Sequence, residues 1–207
     1  FHNVTPARLL YRWNPLVAAR AALAAAQLRA LPKGLRWIAV SPFNRQVLYD
    51  YGFRQVDLVP LVIEPAPGDE KSETPLLLFV GRITPSKNVA ELLRGHEQVC
   101  ARSRRRPRLV IVGARKPRCR YGDWFERCLE RSRWRHLVTW EQHSLAYRRL
   151  LELHARAWLY VSLSLHEGFG VPVCQSVAAG TPALYLPCGG TESVLNGVGC
   201  VRRGQAE

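Results

Sequence analysis

The sequence predicts an α/β protein whose parallel sheets are covered by helices on both faces. Short apolar runs that read as buried strands alternate with helical patterns along most of the 207 residues, the arrangement of repeated βαβ units. Hydrophobic residues make up 47% of the chain, enough for a packed core and too many for global disorder. The right-handed crossover rule turns such units into a doubly wound, Rossmann-like domain.

From the N-terminus, PARLLYRW (6–13) and PLVAARAALAAAQLRALPKG (15–34) read as helices, with Pro at the starts and Gly34 past the end. RWIAV (36–40) reads as a strand, PFNRQVLYDYG (42–52) as a helix closed by Gly52, and VDLVP (56–60) as a short strand. The stretch EPAPGDEKSETP (64–75) is rich in Pro, charge and small residues and reads as a linker. These signals divide the chain into one Rossmann-like portion over 1–62, a linker over 63–75 and a second Rossmann-like domain over 76–207.

The second set is more regular. LLLFVG (76–81), RLVIVG (108–113), HLVTW (136–140), WLYVSLSL (158–165) and TPALYL (181–186) are strands. Between them lie helices over 86–103, with Ser86 as N-cap, and over 121–132, 145–157 and 171–180. The chain then stops in VRRGQAE without a helix or turn signal. It contains no Met and starts on Phe1, so a piece of a longer protein is expected.

The formal net charge is +14, much of it between Arg102 and Arg135. Three readings remain open: a face for phosphate-rich ligands or an anionic membrane, a nucleic-acid surface, or arginines on solvated helices. No aromatic stacking motif or zinc-finger spacing accompanies the charge, which ranks nucleic acid last. The six cysteines show no zinc-knuckle spacing and read as free thiols. The longest apolar stretch, LVAARAALAAAQL, is interrupted by Arg20 and is too weak to span a membrane.

Three loops carry candidate chemistry. In LLLFVGRITPSKN, Gly81 turns the chain at a strand end, and Arg82 and Lys87 flank the loop into the next helix. Ligands of open parallel sheets bind beyond the carboxyl ends of strands, where a guanidinium fork and a flexible ammonium suit a diphosphate. In HEGFGVPVCQ (166–175), a buried strand delivers Glu167, Gly168 and Gly170 leave backbone amides approachable, and Pro172 sits in a first helical turn. A helix N-terminus with free amides is an anion site, and a carboxylate beside it fits a sugar phosphate lying between them. CGGTES (188–193) repeats the architecture more weakly, with Thr191 or Glu192 starting a helical turn.

Taken together, FVGRITPSKN, LVIVG, SLSLHEGFGVPVCQSVAAGTPALYL and GGTE resemble the retaining glycosyltransferases of the GT-B fold, family-four type (glycosyl transferases group 1). Upstream, FHNVTP, VSPFNRQVLYDYGF and VDLVPLVIEP resemble the end of that family's acceptor-side domain. The resemblance covers nearly the whole chain and implies two Rossmann-like domains, most of the first being absent. It implies transfer of a mannose-like or glucose-like hexose from a nucleoside diphosphate sugar, such as GDP-mannose or another GDP- or UDP-sugar. It also implies a glycan or lipid-linked acceptor and a setting in polysaccharide biosynthesis.

Residue by residue, the resemblance places Gly81, Arg82 and Lys87 on the donor diphosphate, and Glu167 on the donor sugar as the first Glu of the signature. The backbone of Gly168, Phe169, Gly170 and Val171 would hold sugar and phosphate, His2 would lie near the catalytic cleft, and the base would lie near Gln142 to Ser144. Glu167 and His2 are the candidate catalytic residues. The second signature Glu is Gln175 here, facing the ribose. An amide oxygen still accepts a hydrogen bond there while its NH2 only donates. That departure keeps open a catalytically silent nucleotide-sugar-binding homologue. No cofactor or metal is expected, since no DxD-like pair stands in a suitable loop. The expected partners are a nucleotide sugar, a glycan or lipid-linked acceptor and an anionic membrane surface, without nucleic acid. The expected location is cytoplasmic, peripheral at the inner membrane face.

Overall fold

A computed structural model describes residues 1–65, 70–115, 119–195 and 200–202. After a 3-10 turn at Ala7–Leu9, the elements run α1 (Pro15–Ala30), β1 (Trp37–Ala39), α2 (Pro42–Asp50), β2 (Val56–Leu58), β3 (Leu76–Val80), α3 (Val89–Arg102), β4 (Arg108–Val112) and α4 (Arg120–Glu130). They continue through β5 (Val138–Glu141), α5 (Tyr147–Arg156), β6 (Leu159–Ser162), α6 (Val171–Ala178), β7 (Ala183–Tyr185), α7 (Gly189–Leu195) and β8 (Cys200–Arg202). The mixed α/β class with parallel sheets is therefore the observed one.

The chain forms two compact units. The larger comprises Ile63–Ser164, Pro172–Leu186 and the segment from Gly199. Its sheet is fully parallel, in the order β5-β4-β3-β6-β7-β8, the doubly wound order whose direction reverses between β3 and β6. Leu77 pairs with Leu109 on one side and with Leu159 on the other. Leu78, Phe79, Leu109, Ile111, Tyr160 and Tyr185 are fully buried, as strands covered on both faces require. The helices present apolar stripes to this sheet: Tyr121, Phe125 and Leu129 on α4 recur every four residues, and Val89, Leu92, Leu93, His96 and Cys100 line α3.

The smaller unit comprises Phe1–Val62, Leu165–Val171 and Pro187–Val198. Here β1 and β2 pair in parallel, Ile38 opposite Asp57. Ala39, Leu48, Phe53 and Val56 form the core, with Trp37 packed against it. Ser41 caps α2 by accepting from the Asn44 amide at 3.2 Å, Pro42 fills its first position, and Gly52, at φ +90°, lets the chain leave it.

Four local expectations are revised. PARLLYRW is not a helix but a single 3-10 turn followed by isolated turns. Pro15 disfavours helical backbone at Asn14, which is extended and caps α1 by accepting from Val17 N at 3.0 Å. Ser86 does not cap α3: it lies in a 3-10 turn, Pro85–Lys87, and Asn88 in the left-handed region starts the helix. α7 begins at Gly189, before Thr191. The segment 200–202, which offers no long apolar run, pairs as β8 with β7. Part of the linker called over 63–75, the last residues of the 76–207 domain and the Cys200 side chain lie outside the described residues. The other five cysteines are free thiols. Among the described residues, no helix is long and apolar enough to cross a membrane.

Candidate functional site

The sheet of the larger unit places Gly81, Arg82 and Lys87 at the carboxyl end of β3, the strand beside which the winding reverses. The β3–β4 ladder continues past both strands. Gly81 N donates to Val112 O at 2.9 Å and Ile83 N to Ala114 O at 3.2 Å. Gly81 therefore leaves the sheet in register with Gly113, and a Cβ on Gly113 would fall on the Gly81 carbonyl. Lys87 ends the 3-10 turn, and its Cδ lies 3.8 Å from where a Cβ on Gly81 would stand. Lys87 and Gly81 are thus neighbours, while Arg82 is exposed at the mouth of the loop.

Gln175 lies on α6, 7% exposed, one residue before Ser176. The helix is held to the unit from that next position: Ser176 Oγ shares a 2.5 Å hydrogen bond with Nδ1 of His154 on α5. Thr181 Oγ1 donates to His154 O at 2.6 Å, and Lys71 Nζ donates to Thr181 Oγ1 at 2.5 Å. Burial pulls the His154 pKa down to about 4, so the ring is neutral near pH 7.

In the smaller unit, the segment from Glu167 to Gly170 sits against the N-terminal residues. A Cβ on Gly168 would fall on the His2 carbonyl, so the two backbones meet where that glycine has no side chain. Ser41 Oγ donates to Gly168 O at 2.6 Å, and Gly190 N donates to Glu167 O at 2.8 Å. A Cβ on Gly190 would in turn strike Gly168. Gly170, at φ +92°, faces Thr191, and Phe169 is buried. Asn44, fully buried, donates to Phe1 O at 3.2 Å and accepts from Asn3 Nδ2 at 2.9 Å. His2 and the Glu167 loop are thus brought together, with the His2 side chain exposed.

Ser41 and Asn44, which hold the Gly168 carbonyl and the N-terminal residues in place, are passed over when the sequence is read alone. Ser41 looks like an ordinary helix cap before Pro42. Nothing local marks the Asn44 side chain, whose partners are some forty residues away. Gly113 likewise looks like the end of a strand. Among the described residues no group of three or more His, Cys, Asp or Glu is placed to hold a metal.

The model of the family described as glycosyl transferases group 1 matches residues 63–198, about two thirds of the chain. The chain belongs to this family. It is 30% identical over 130 residues to an uncharacterized glycosyltransferase of Methanocaldococcus jannaschii, covering 61% of this chain and 30% of that protein. It is 28% identical over 132 residues to the O-antigen chain mannosyltransferase B of Escherichia coli, covering 60% of this chain and 32% of that protein. The chain thus spans about a third of the length of these two relatives. Among solved structures it resembles WaaG, a glycosyltransferase involved in lipopolysaccharide biosynthesis, with a TM-score of 0.75 and 21% identity over 97% of this chain and 59% of that one. The α/β architecture is accordingly that of the GT-B glycosyltransferases. Membership in glycosyl transferases group 1 agrees with the resemblance drawn from FVGRITPSKN, HEGFGVPVCQ and GGTE, all of which fall inside the matched span.

Proposed function

We propose that this chain carries the nucleotide-sugar-binding part of a retaining hexosyltransferase. The observation that carries the reading is the Gly81–Lys87 loop, which puts two cations at the carboxyl end of β3 inside the span matched to the family. Departure of a nucleoside diphosphate builds negative charge on the leaving group. Arg82 offers a planar fork of donors and Lys87 a mobile ammonium to meet that charge as it grows, without a metal. Glu167 orients the donor sugar through its hydroxyls. The backbone of Gly168, Phe169, Gly170 and Val171 follows the sugar and phosphate, Gln175 accepts from the ribose, and His2 stands on the acceptor side.

The donor is a mannose-like or glucose-like sugar on GDP or UDP, and the acceptor is a glycan or a lipid-linked molecule. The relative named O-antigen chain mannosyltransferase B supports a mannose-like sugar and a glycan acceptor. The work is placed in polysaccharide biosynthesis at the inner, cytoplasmic face of a membrane.

Calorimetric titration with GDP-mannose and UDP-glucose tests the reading. Each charge-assisted hydrogen bond contributes about 1.5–3 kcal/mol, so Arg82→Ala with Lys87→Ala should weaken donor binding at least tenfold. A wild-type chain that binds neither nucleotide sugar, or a double variant that binds as the wild type does, would refute it. The second reading, a silent nucleotide-sugar-binding homologue, rests on Gln175 alone. Under that reading the protein binds a donor and neither hydrolyses nor transfers it.

A further inference from the structure

The arginines that dominate the charge gather on one edge of the larger unit. α3 runs back from the carboxyl end of β3 and α4 from that of β4, so the connections into β4 and β5 both lie at the amino-terminal edge of the sheet. Residues 101–108 and 131–137, read as ARSRRRPR and RSRWRHL, contain eight arginines and no Asp or Glu. Arg102, Arg104, Arg105, Arg106, Arg108, Arg131, Arg133 and Arg135 are all exposed. Among the described residues none of them forms an ion pair, whereas Arg36, Arg94, Arg115, Arg148 and Arg149 elsewhere do.

The two connections are fastened to each other. Trp134 is buried with the Arg106 guanidinium 4.6 Å and the Arg133 guanidinium 5.2 Å from its ring centre. Ser132 Oγ donates to Glu97 of α3 at 2.5 Å and accepts from Trp134 N at 3.3 Å. Arg135 donates to Val138 O at 2.7 Å. Like charges crowded on a braced frame repel one another, and an external anionic surface relieves that repulsion.

We propose that this edge docks the protein on an anionic lipid bilayer. Exposed guanidiniums meet phosphate headgroups as bidentate forks, and an array of several such cations attracts an anionic leaflet. Non-sequence-specific binding of single-stranded nucleic acid adds exposed rings on which bases stack. The tryptophan here is buried under its own guanidiniums, so the edge presents charge without that platform. Strands rising about 3.3 Å per residue put this edge roughly 16 Å from the Arg82 end of β3, so docking leaves the proposed donor loop facing away from the lipid. Docking is separable from donor binding, because it is measured without nucleotide sugar and through different residues.

Flotation of the chain with phosphatidylcholine vesicles, with and without phosphatidylglycerol, tests the proposal. Binding is expected only to vesicles with the anionic lipid, and to weaken steeply between low and physiological salt. Arg104→Ser, Arg105→Ser and Arg133→Ser together remove three charges and spare Arg106 over Trp134. At about fivefold per arginine, partitioning should fall roughly a hundredfold. A control with Arg12→Ser, Arg20→Ser and Arg54→Ser, all exposed in the smaller unit, loses the same net charge and should keep most of its binding. Equal flotation with neutral vesicles would overturn the proposal. So would equal losses in the two triple variants, or duplex DNA bound more tightly than anionic vesicles through the same three arginines. Near-identical melting curves for both variants establish that they fold.

Discussion

Lowering the pH from 7 to 5 is expected to cost the fold roughly 2 kcal/mol through one side chain, His154. Its ring is fully buried on α5, bonded through Nδ1 to Ser176 Oγ and stacked on Tyr160 of β6 at 5.7 Å and 27°. Its Nε2 is buried with no hydrogen-bond partner among the described residues. The imidazolium carries an N–H on both nitrogens, and the one on Nε2 has nothing to receive it; burial drops the pKa from 6.5 to about 4. The unfolded chain takes up a proton near pH 6.5 and the folded chain only near pH 4. Between those values the unfolded state holds more protons, and stability falls as the pH falls.

The full shift corresponds to roughly 3 kcal/mol, of which about 2 is lost by pH 5. Urea unfolding of the wild type and of His154→Gln at pH 7, 6 and 5 provides the assay. The variant starts from a lower stability, and its pH slope should be shallower by that amount. His96, whose pKa burial also lowers, acts in the same direction in both proteins and cancels in the comparison. Identical slopes, or an imidazole resonance of His154 titrating near pH 6.5 in the folded protein, would refute the reasoning.

Ser41→Ala should cost about 2–3 kcal/mol by urea unfolding, because it removes the cap of α2 and leaves the Gly168 carbonyl without its donor. Gly113→Ala should destabilise by at least about 2 kcal/mol and weaken donor binding as well, since the new Cβ displaces the Gly81 carbonyl at the base of the Arg82 loop. Loss of stability with donor affinity intact would separate Gly113 from the loop. Gln175→Glu should raise nucleotide affinity about tenfold by calorimetry if the position meets a ribose, and unchanged affinity would remove that role.

Most of the sheet was legible in the sequence, because strands buried on both faces are written as uninterrupted apolar runs. LLLFV, LVIV and LYV are three such runs, and each occupies its own place in the sheet. β8 was not legible, since CVR has no run of its own and exists by pairing with Ala183–Tyr185. PARLLYRW misled for a local reason. Its composition suits a helix, but the proline two residues on commits Asn14 to extended backbone, and that restriction outweighs propensity. At the candidate site, Gly81, Arg82 and Lys87 were legible because a strand end, a turn and two cations are contiguous. Asn44 was not, because a buried amide between Phe1 and Asn3 is a tertiary fact with no local pattern.

The glycines of HEGFG change in meaning once their neighbours are known. From the sequence, Gly168 and Gly170 read as bare backbone offered to a ligand. In the fold, Gly168 is the point where the loop backbone touches the His2 carbonyl and the start of α7, and Gly170 adopts φ +92° against Thr191. Both demands exclude a side chain before any ligand is considered. A glycine required by packing and one required by a phosphate look identical in a sequence, so these two weigh less toward donor binding than their place in the motif implies. Arg82 is different. It is exposed on a loop whose geometry is fixed by Gly81, Gly113 and the β3–β4 ladder, and no packing requirement calls for a guanidinium there. The case for a nucleotide-sugar site therefore rests more on the cations after β3 than on the glycine-rich loop after β6, and the loss of donor affinity in Arg82→Ala with Lys87→Ala is the measurement that bears on it most directly.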